Sequence, residues 1–180
     1  MQLDINERIA ARVRDLRTGQ GLSLEALAES SGVSRSMISL IERGESNPTA
    51  VLLEKLATGL GVSLATLFEM PAAPRRPLSR RAEQVEWCDP QSGYIRRNVS
   101  PGGFPSPIQI VEVVFPAGAR VAYETAARPG VTHQQVWVLE GRIEMTLGEE
   151  QFELCAGDCL AMVLDRPITY HNPSGNPARS

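Results

Sequence analysis

The chain has 180 residues, 42% of them hydrophobic and 22% charged, with 15 Gly, 13 Pro and a formal net charge of −3; this is the composition of one large globular domain or two small ones, and it excludes binding to nucleic acid through a global basic field. No apolar run approaches the roughly 18 residues needed to span a bilayer, and Met1-Gln2-Leu3-Asp4 has no basic start followed by an apolar stretch, so no signal peptide and a cytoplasmic location are expected. The three cysteines, Cys88, Cys155 and Cys159, are too few for a disulfide framework, and the last two read as semi-buried strand thiols rather than zinc ligands because no third or fourth ligand is near.

Charge divides unevenly: residues 1–70 carry −2, residues 71–86 carry +2 and residues 87–180 carry −3. Any contact with DNA must therefore come from a local face. Residues 5–69 read as five helices. The first places Ile5, Ile9, Val13 and Leu16 on one face and ends near Gly19-Gln20-Gly21. Ser23 caps a short second helix carrying Leu24, Leu27 and Ala28, and Gly32 supplies a left-handed turn. Ser34 caps a third helix with Ile38 and Ile41 inward, stopped by Gly44. Asn47-Pro48 reads as a cap with proline at the first helical position of a fourth helix, which carries Leu53, Leu56, Ala57 and Leu60. Ser63 caps a fifth with Leu64, Leu67 and Phe68.

Two short helices joined by a glycine turn, with small Ala28 at their crossing, make a helix-turn-helix plan. Arg35, Ser36, Met37, Ser39 and Leu40 lie off the core face of the third helix. They are slender, polar or flexible, as a helix entering the major groove requires; Arg35 suits guanine O6/N7 and Met37 suits a thymine methyl. The stretch Leu22-Ser23-Leu24-Glu25-Ala26-Leu27-Ala28, Gly32-Val33-Ser34, Ile38-Ser39-Leu40-Ile41-Glu42-Arg43-Gly44, Asn47-Pro48 and Leu60-Gly61-Val62 resembles the Cro/phage-repressor (XRE-type) helix-turn-helix family over residues 5–69. The resemblance implies that Arg35, Ser36, Met37 and Leu40 face the bases. It implies that Ser23, Ser39, Arg43, Asn47 and the backbone N–H of Thr49 hold phosphates, and that Arg17 and Glu42 form an ion pair bridging the first helix to the end of the third. So few cations per half-site point to a homodimer on two half-sites of double-stranded DNA about 34 Å apart.

Pro71-Ala72-Ala73-Pro74-Arg75-Arg76-Pro77 opens a Pro/Arg-rich linker over residues 71–86, because proline blocks helix and sheet ladders alike. The arginines at 75, 76, 80 and 81 read either as a solvated linker, the better reading, or as added phosphate or minor-groove contacts. From about Gly93 short strand-type runs alternate with turns: 108–115, 136–139, 143–147, 151–154 and 159–163. That pattern indicates a sandwich or barrel. Phe115-Pro116-Ala117-Gly118, Val138-Leu139-Glu140-Gly141, Ala156-Gly157-Asp158 and His171-Asn172-Pro173 resemble the cupin barrel family, and the whole order resembles the helix-turn-helix–cupin fusion regulators.

The resemblance implies an α+β chain: an all-α five-helix domain over 1–70, the linker, then an all-β cupin barrel (double-stranded β-helix, or jelly roll) over 87–180. Cupin metal chemistry uses a His-x-His pair, a Glu and a later His. In register with Gly141 the Glu position is Gln134, the pair falls in Ala127-Arg128-Pro129-Gly130 and the late position is Ile168, so no metal and no cofactor are expected. The expected pocket is a small-molecule effector site drawn from Tyr123, Glu124, Arg128, His133, Gln134, Val136, Met162, Ile168 and Tyr170; His133 belongs to it only if the register slips by one residue. Arg128 reads either as a partner for a ligand carboxylate or as an exposed loop arginine. Trp137 should face outward, and His171 should belong to a turn. The sequence reaches Ser180 soon after the Asn-Pro turn, where the family pattern continues into a further strand, so either the barrel lacks its last strand, which would leave an open edge, or the sequence is cut short. The function expected is an effector-sensing transcriptional regulator; the rival readings are a DNA-tethered cupin isomerase or oxygenase, and a barrel that only oligomerises.

Overall fold

A computed structural model describes residues 4–69, 76–124 and 131–180. The chain divides into two compact units, Met1–Trp87 with Arg97–Val111, and Cys88–Arg96 with Glu112–Ser180.

Among the described residues the first unit contains four α-helices and the 3-10 turn Leu64–Phe68, each started by a side-chain cap, and a second, uncapped 3-10 turn. Helix α1 (Ile5–Gly19) begins with a capping box between Asp4 and Glu7. Helices α2 (Leu24–Ser31) and α3 (Arg35–Glu42) are capped by Ser23 and Ser34, and Gly32 joins them in the left-handed conformation at φ 68°. Helix α4 (Ala50–Gly59) is capped by Thr49, so Pro48 lies before the helix rather than at its first position. The expected fifth helix is the 3-10 turn Leu64–Phe68, capped by Ser63; five residues are too few to establish an α-helical ladder. Ile9, Val13, Leu27, Ile38, Ile41, Leu53, Leu56 and Leu67 are buried together. Helices α2 and α4 approach closely at Gly59. A Cβ on Gly59 would lie 2.7 Å from Ser31 Cβ and 2.9 Å from Ser31 Cα, so α2 and α4 meet at a distance only glycine allows.

Segment 97–111, placed with the β domain by the sequence expectation, belongs to the helical unit through specific bonds. Asn98 Nδ2 donates to the Ala65 carbonyl (3.0 Å), Ser63 Oγ bonds Gln109 (2.8 Å), and Gln109 Nε2 donates to Glu69 (3.0 Å). Arg81–Glu83 forms a 3-10 turn inside the expected linker.

Ten strands follow. Strands β1 (Glu86–Cys88) and β2 (Ile95–Asn98), not expected from the sequence, are three and four residues long. With β3 (Val111–Phe115) and β10 (Ala178–Arg179) they make a sheet of order β1-β2-β3-β10. Strands β4 (Arg120–Tyr123), β6 (Arg142–Leu147), β7 (Glu150–Cys155) and β9 (Ile168–His171) form a second sheet, order β4-β9-β6-β7, and β5 (His133–Trp137) pairs with β8 (Cys159–Val163). β3 starts three residues later than the sequence pattern suggested, since Ile108 and Ile110 are exposed loop residues.

The segment after the Asn-Pro turn is a strand: Ala178 pairs with Phe115 and Arg179 with Val114, and Arg179 also bridges to Glu140. This corrects the expectation of a missing partner there. Gly141 makes the approach possible, because at φ 79° a Cβ would lie 2.9 Å from Ala178 Cα. His171 ends β9 rather than lying in a turn. All three cysteines are free and exposed, not semi-buried; Cys155 and Cys159 flank the β7–β8 turn.

Candidate nucleic-acid interface and interior site

Helix α3 buries Ile38 and Ile41 and leaves Arg35 and Ser36 exposed, with Met37, Ser39 and Leu40 half-buried at the rim. The capping hydroxyl of Ser34 accepts from Met37 N at 3.2 Å, which fixes the first turn and so the direction of Arg35 and Ser36. The helix is braced from behind. Arg17 Nε and Nη2 donate to both Glu42 oxygens at 2.6 and 2.8 Å, and Nη1 donates to the Leu22 carbonyl at 2.8 Å. The two side chains are only 14% and 8% exposed, and the hydrogen bond to Glu42 raises the guanidinium pKa. This bidentate pair ties α1 to the end of α3.

The cations on the exposed side are engaged with acids. Arg35 Nε lies 2.6 Å from Glu25 Oε1, with both side chains 65% exposed. Arg43 makes a bidentate contact with Glu45 at 2.9 and 2.8 Å and donates to Ser39 Oγ at 2.5 Å; the bonds to Glu45 raise its pKa. Exposed pairs of this kind are weak and yield to a stronger anion. Ser23 Oγ and Thr49 Oγ1 are used as helix caps, accepting from Ala26 N and Leu52 N, while Asn47 is exposed. Met37 stands beside Ser46, whose hydroxyl is 3.8 Å from Met37 Sδ.

In the second unit the ladders sort the expected pocket residues onto faces. Tyr123 is opposite Ile168, Tyr170 is opposite Val121 and Met145, and Gln134 is opposite Met162. Gln134 Nε2 donates to the Tyr170 hydroxyl at 3.2 Å, so the β5–β8 pair and the larger sheet turn these faces toward each other. Val136, Met162, Ile168 and Tyr170 are buried. His133 is exposed, because alternation along β5 turns its side chain to the face opposite Gln134, and Glu124, just past the end of β4, is exposed as well. Arg128 lies outside the described residues. Trp137 is exposed on the outer face with His133 and Gln135.

Two interior residues were missed from the sequence. Tyr94 is buried, stacks on Phe115 (centroids 5.4 Å apart), and its hydroxyl is 3.1 Å from that of Tyr123; Tyr123 in turn sits edge-on to Tyr170 at 6.0 Å. Arg96 bonds Tyr94 and acts electrostatically on Tyr123. Burial raises both phenol pKa values, that of Tyr123 well above the ordinary range, so both stay neutral donors. The only signal available was alternation in Tyr94-Ile95-Arg96, too short to identify a strand. Among the described residues no three His, Cys, Asp or Glu side chains gather as a metal site. At the positions where cupin ligands are expected, Gln134 is bonded to Tyr170 and Ile168 is buried.

The helix-turn-helix family model matches residues 13–67. The HTH-type transcriptional regulator SutR of Escherichia coli is 29% identical over 167 residues, covering 91% of this chain and 86% of that protein. The control protein C.SmaI of Serratia marcescens is 43% identical over 66 residues, 37% of this chain and 79% of its own length. The crystal structure of an HTH_3 family transcriptional regulator from Vibrio cholerae superposes with a TM-score of 0.77 at 28% identity, over 97% of this chain and 93% of that one.

Proposed function

The chain belongs to the helix-turn-helix family of DNA-binding transcriptional regulators, and on that footing we propose that it reads its operator with Arg35, Ser36, Met37 and Leu40 and responds to a small molecule held inside its β unit. The observation that carries the DNA reading is the split of α3: Ile38 and Ile41 buried, Arg35 and Ser36 fully presented, and the helix clamped by Arg17 and Glu42. Ser39, Arg43, Asn47, Ser23 and the N-terminal end of α4 at Thr49 surround that edge, and there they take phosphates, the last through backbone N–H groups. Glu25 and Glu45 hold Arg35 and Arg43 in the free protein and release them to DNA. With so few cations per copy, a homodimer on two half-sites supplies the affinity.

For the β unit, the three strand groups and the glycine corner at Gly141 support a cupin barrel. Its interior offers Tyr94, Tyr123, Gln134 and Tyr170 as donors beside Arg96, with Val136, Met162 and Ile168 as apolar wall. That set suits an anionic effector and lacks the ligand types a divalent cation needs, so sensing rather than catalysis is the reading the residues favour. A regulator of this kind works in the cytoplasm beside its DNA. No described helix is long and apolar enough to cross a membrane.

Operator selection followed by binding measurements tests the DNA half. Arg35→Ala should cost about 1–3 kcal/mol on the selected site and relax preference at one base pair. A uniform loss on all sequences would make Arg35 a phosphate contact and overturn the assignment. Equal operator affinity with and without a ligand bound in the β unit would remove the sensing half, and stoichiometric metal in the purified protein would revive an enzyme.

A further inference from the structure

A cavity of about 340 Å3 lies within the helical unit, walled by α1, the 3-10 turn Leu64–Phe68, the stretch 77–85 and the loop 98–111. Most of its lining is apolar, with Phe68, Val85, Phe104 and Ile108 among the larger side chains. Two polar groups on this wall are unusual. Arg8 Nη2 and Asn98 Oδ1 are both shut off from solvent and make no hydrogen bond. Asn98 cannot turn away, because its Nδ2 donates to the Ala65 carbonyl at 3.0 Å and that bond fixes the orientation of the amide. Arg8 has no carboxylate within ion-pair distance among the described residues. Two acids line the wall: Glu69 is already engaged by Arg12 at 3.7 Å and by Gln109 Nε2 at 3.0 Å, and Glu83 ends the short turn Arg81–Glu83.

Buried donors and acceptors without partners are rare in folded proteins; Arg8 as a residue is half-buried, so the cost falls on its enclosed Nη2 rather than on the whole guanidinium. The volume falls within the range of small-molecule sites, and the lining has the usual character of such sites, apolar walls with a few placed polar groups. We propose that this cavity binds a small monocarboxylate with an apolar body and a hydrogen-bond donor at its other end. The carboxylate meets Arg8, the donor meets Asn98 Oδ1, and the body packs between Phe68 and Phe104. The site shares no residue with the tyrosine cluster of the β unit, so it is a second ligand site and stands or falls independently of effector sensing there.

The probe is 4-hydroxyphenylacetate, titrated calorimetrically into the full chain, with 4-hydroxyphenylacetamide as its uncharged counterpart. The carboxylate is expected to bind, and the amide to bind at least about tenfold more weakly. Arg8→Gln, which removes the charge from a residue with no internal partner, is expected to weaken the carboxylate by a similar factor while melting like the parent; Tyr123→Phe leaves its affinity unchanged. No binding of the carboxylate up to about 10 mM overturns the proposal and leaves the two polar groups to ordered water. Equal affinity for acid and amide, a measurement that needs no variant, overturns it as well. So does binding that survives Arg8→Gln, or binding lost in Tyr123→Phe, which would move the probe to the β unit.

Discussion

Each of the two units is pinned by a polar node, and the nodes differ in kind. In the helical unit the node is ionic: Arg17 and Glu42 join α1 to α3, side chain to side chain. In the β unit it is a neutral amide. Asn172 is wholly buried; its Nδ2 donates to the carbonyls of Phe115 (3.0 Å), Pro116 (3.1 Å) and Asn176 (2.8 Å), and its Oδ1 accepts from Ser174 N (3.0 Å) and Ser174 Oγ (2.7 Å). Helices satisfy their own backbone, so a contact between them falls to side chains. A turn leaving a sheet exposes backbone carbonyls, and only a side chain with donors and an acceptor can close them. The ionic node is therefore replaceable in principle by apolar packing, whereas the amide node is not.

Asn172→Ala is the severest test of this difference. It removes every hydrogen bond of a wholly buried amide, although the Pro116 carbonyl keeps Ala119 N and the Asn176 carbonyl keeps Ser174 Oγ, and a loss of roughly 3–4 kcal/mol is expected from urea unfolding, concentrated in the β unit. Water filling the gap would be seen as a loss below about 1 kcal/mol, and would show that the amide is dispensable. Arg17→Ala should come next, at about 3 kcal/mol, because it leaves the Glu42 carboxylate buried without its cation. Base preference on the operator should not change in the fraction that stays folded. The double replacement Arg17→Met with Glu42→Leu should recover most of that loss, as apolar substitutes for a buried ion pair often do. If the double variant is as weak as the single one, the pair contributes more than two side chains that merely tolerate each other.

Gly59→Ala sharpens the helical side of the contrast at a smaller scale. The added methyl meets Ser31 backbone and Cβ, not a flexible side-chain end, so α2 and α4 have to separate. A loss of about 2 kcal/mol is expected in thermal unfolding, since overpacking outweighs the better helix propensity of alanine. A neutral outcome would mean that the α2–α4 contact relaxes freely.

The same contrast explains what could be read in advance. Ser23, Gly32, Ser34 and Gly44 act within a few residues of themselves, so the limits of α2 and α3 are local chemistry and legible. Thr49 was overlooked because Asn47-Pro48 is itself a plausible cap, and only the geometry shows Pro48 lying before the helix. Ser63 was legible as a cap, but whether the next five residues settle into an α or a 3-10 turn depends on packing against α1. In the β unit, β6 and β8 carried their own alternation. β1, β2 and β10 are two to four residues long and exist only through their partners, which no local pattern records. The inward Gln134 and Tyr170 followed from strand parity. Tyr94 and Arg96 did not, because their strand was not identifiable.

The smallest effect concerns the residue whose surroundings were misread. His171 Nδ1 lies 3.1 Å from Glu144 Oε2, on adjacent strands β9 and β6, and Arg142 reaches the other oxygen at 3.0 Å. The bond to His171, followed by that to Arg142, holds the Glu144 carboxyl below the usual carboxylate range. His171→Ala should therefore raise the Glu144 pKa part of the way back, since Arg142 remains, and a side-chain NMR titration would read the shift directly. A carboxyl with a depressed pKa contributes stability that is present above its unfolded value and is lost as pH falls through its folded value. The parent should accordingly outlast the variant at neutral pH and lose that advantage in acid, below the lowered pKa. The groups are partly open to solvent, so the difference should shrink with added salt. An advantage that persists unchanged in acid would instead assign the contribution of His171 to packing along β9.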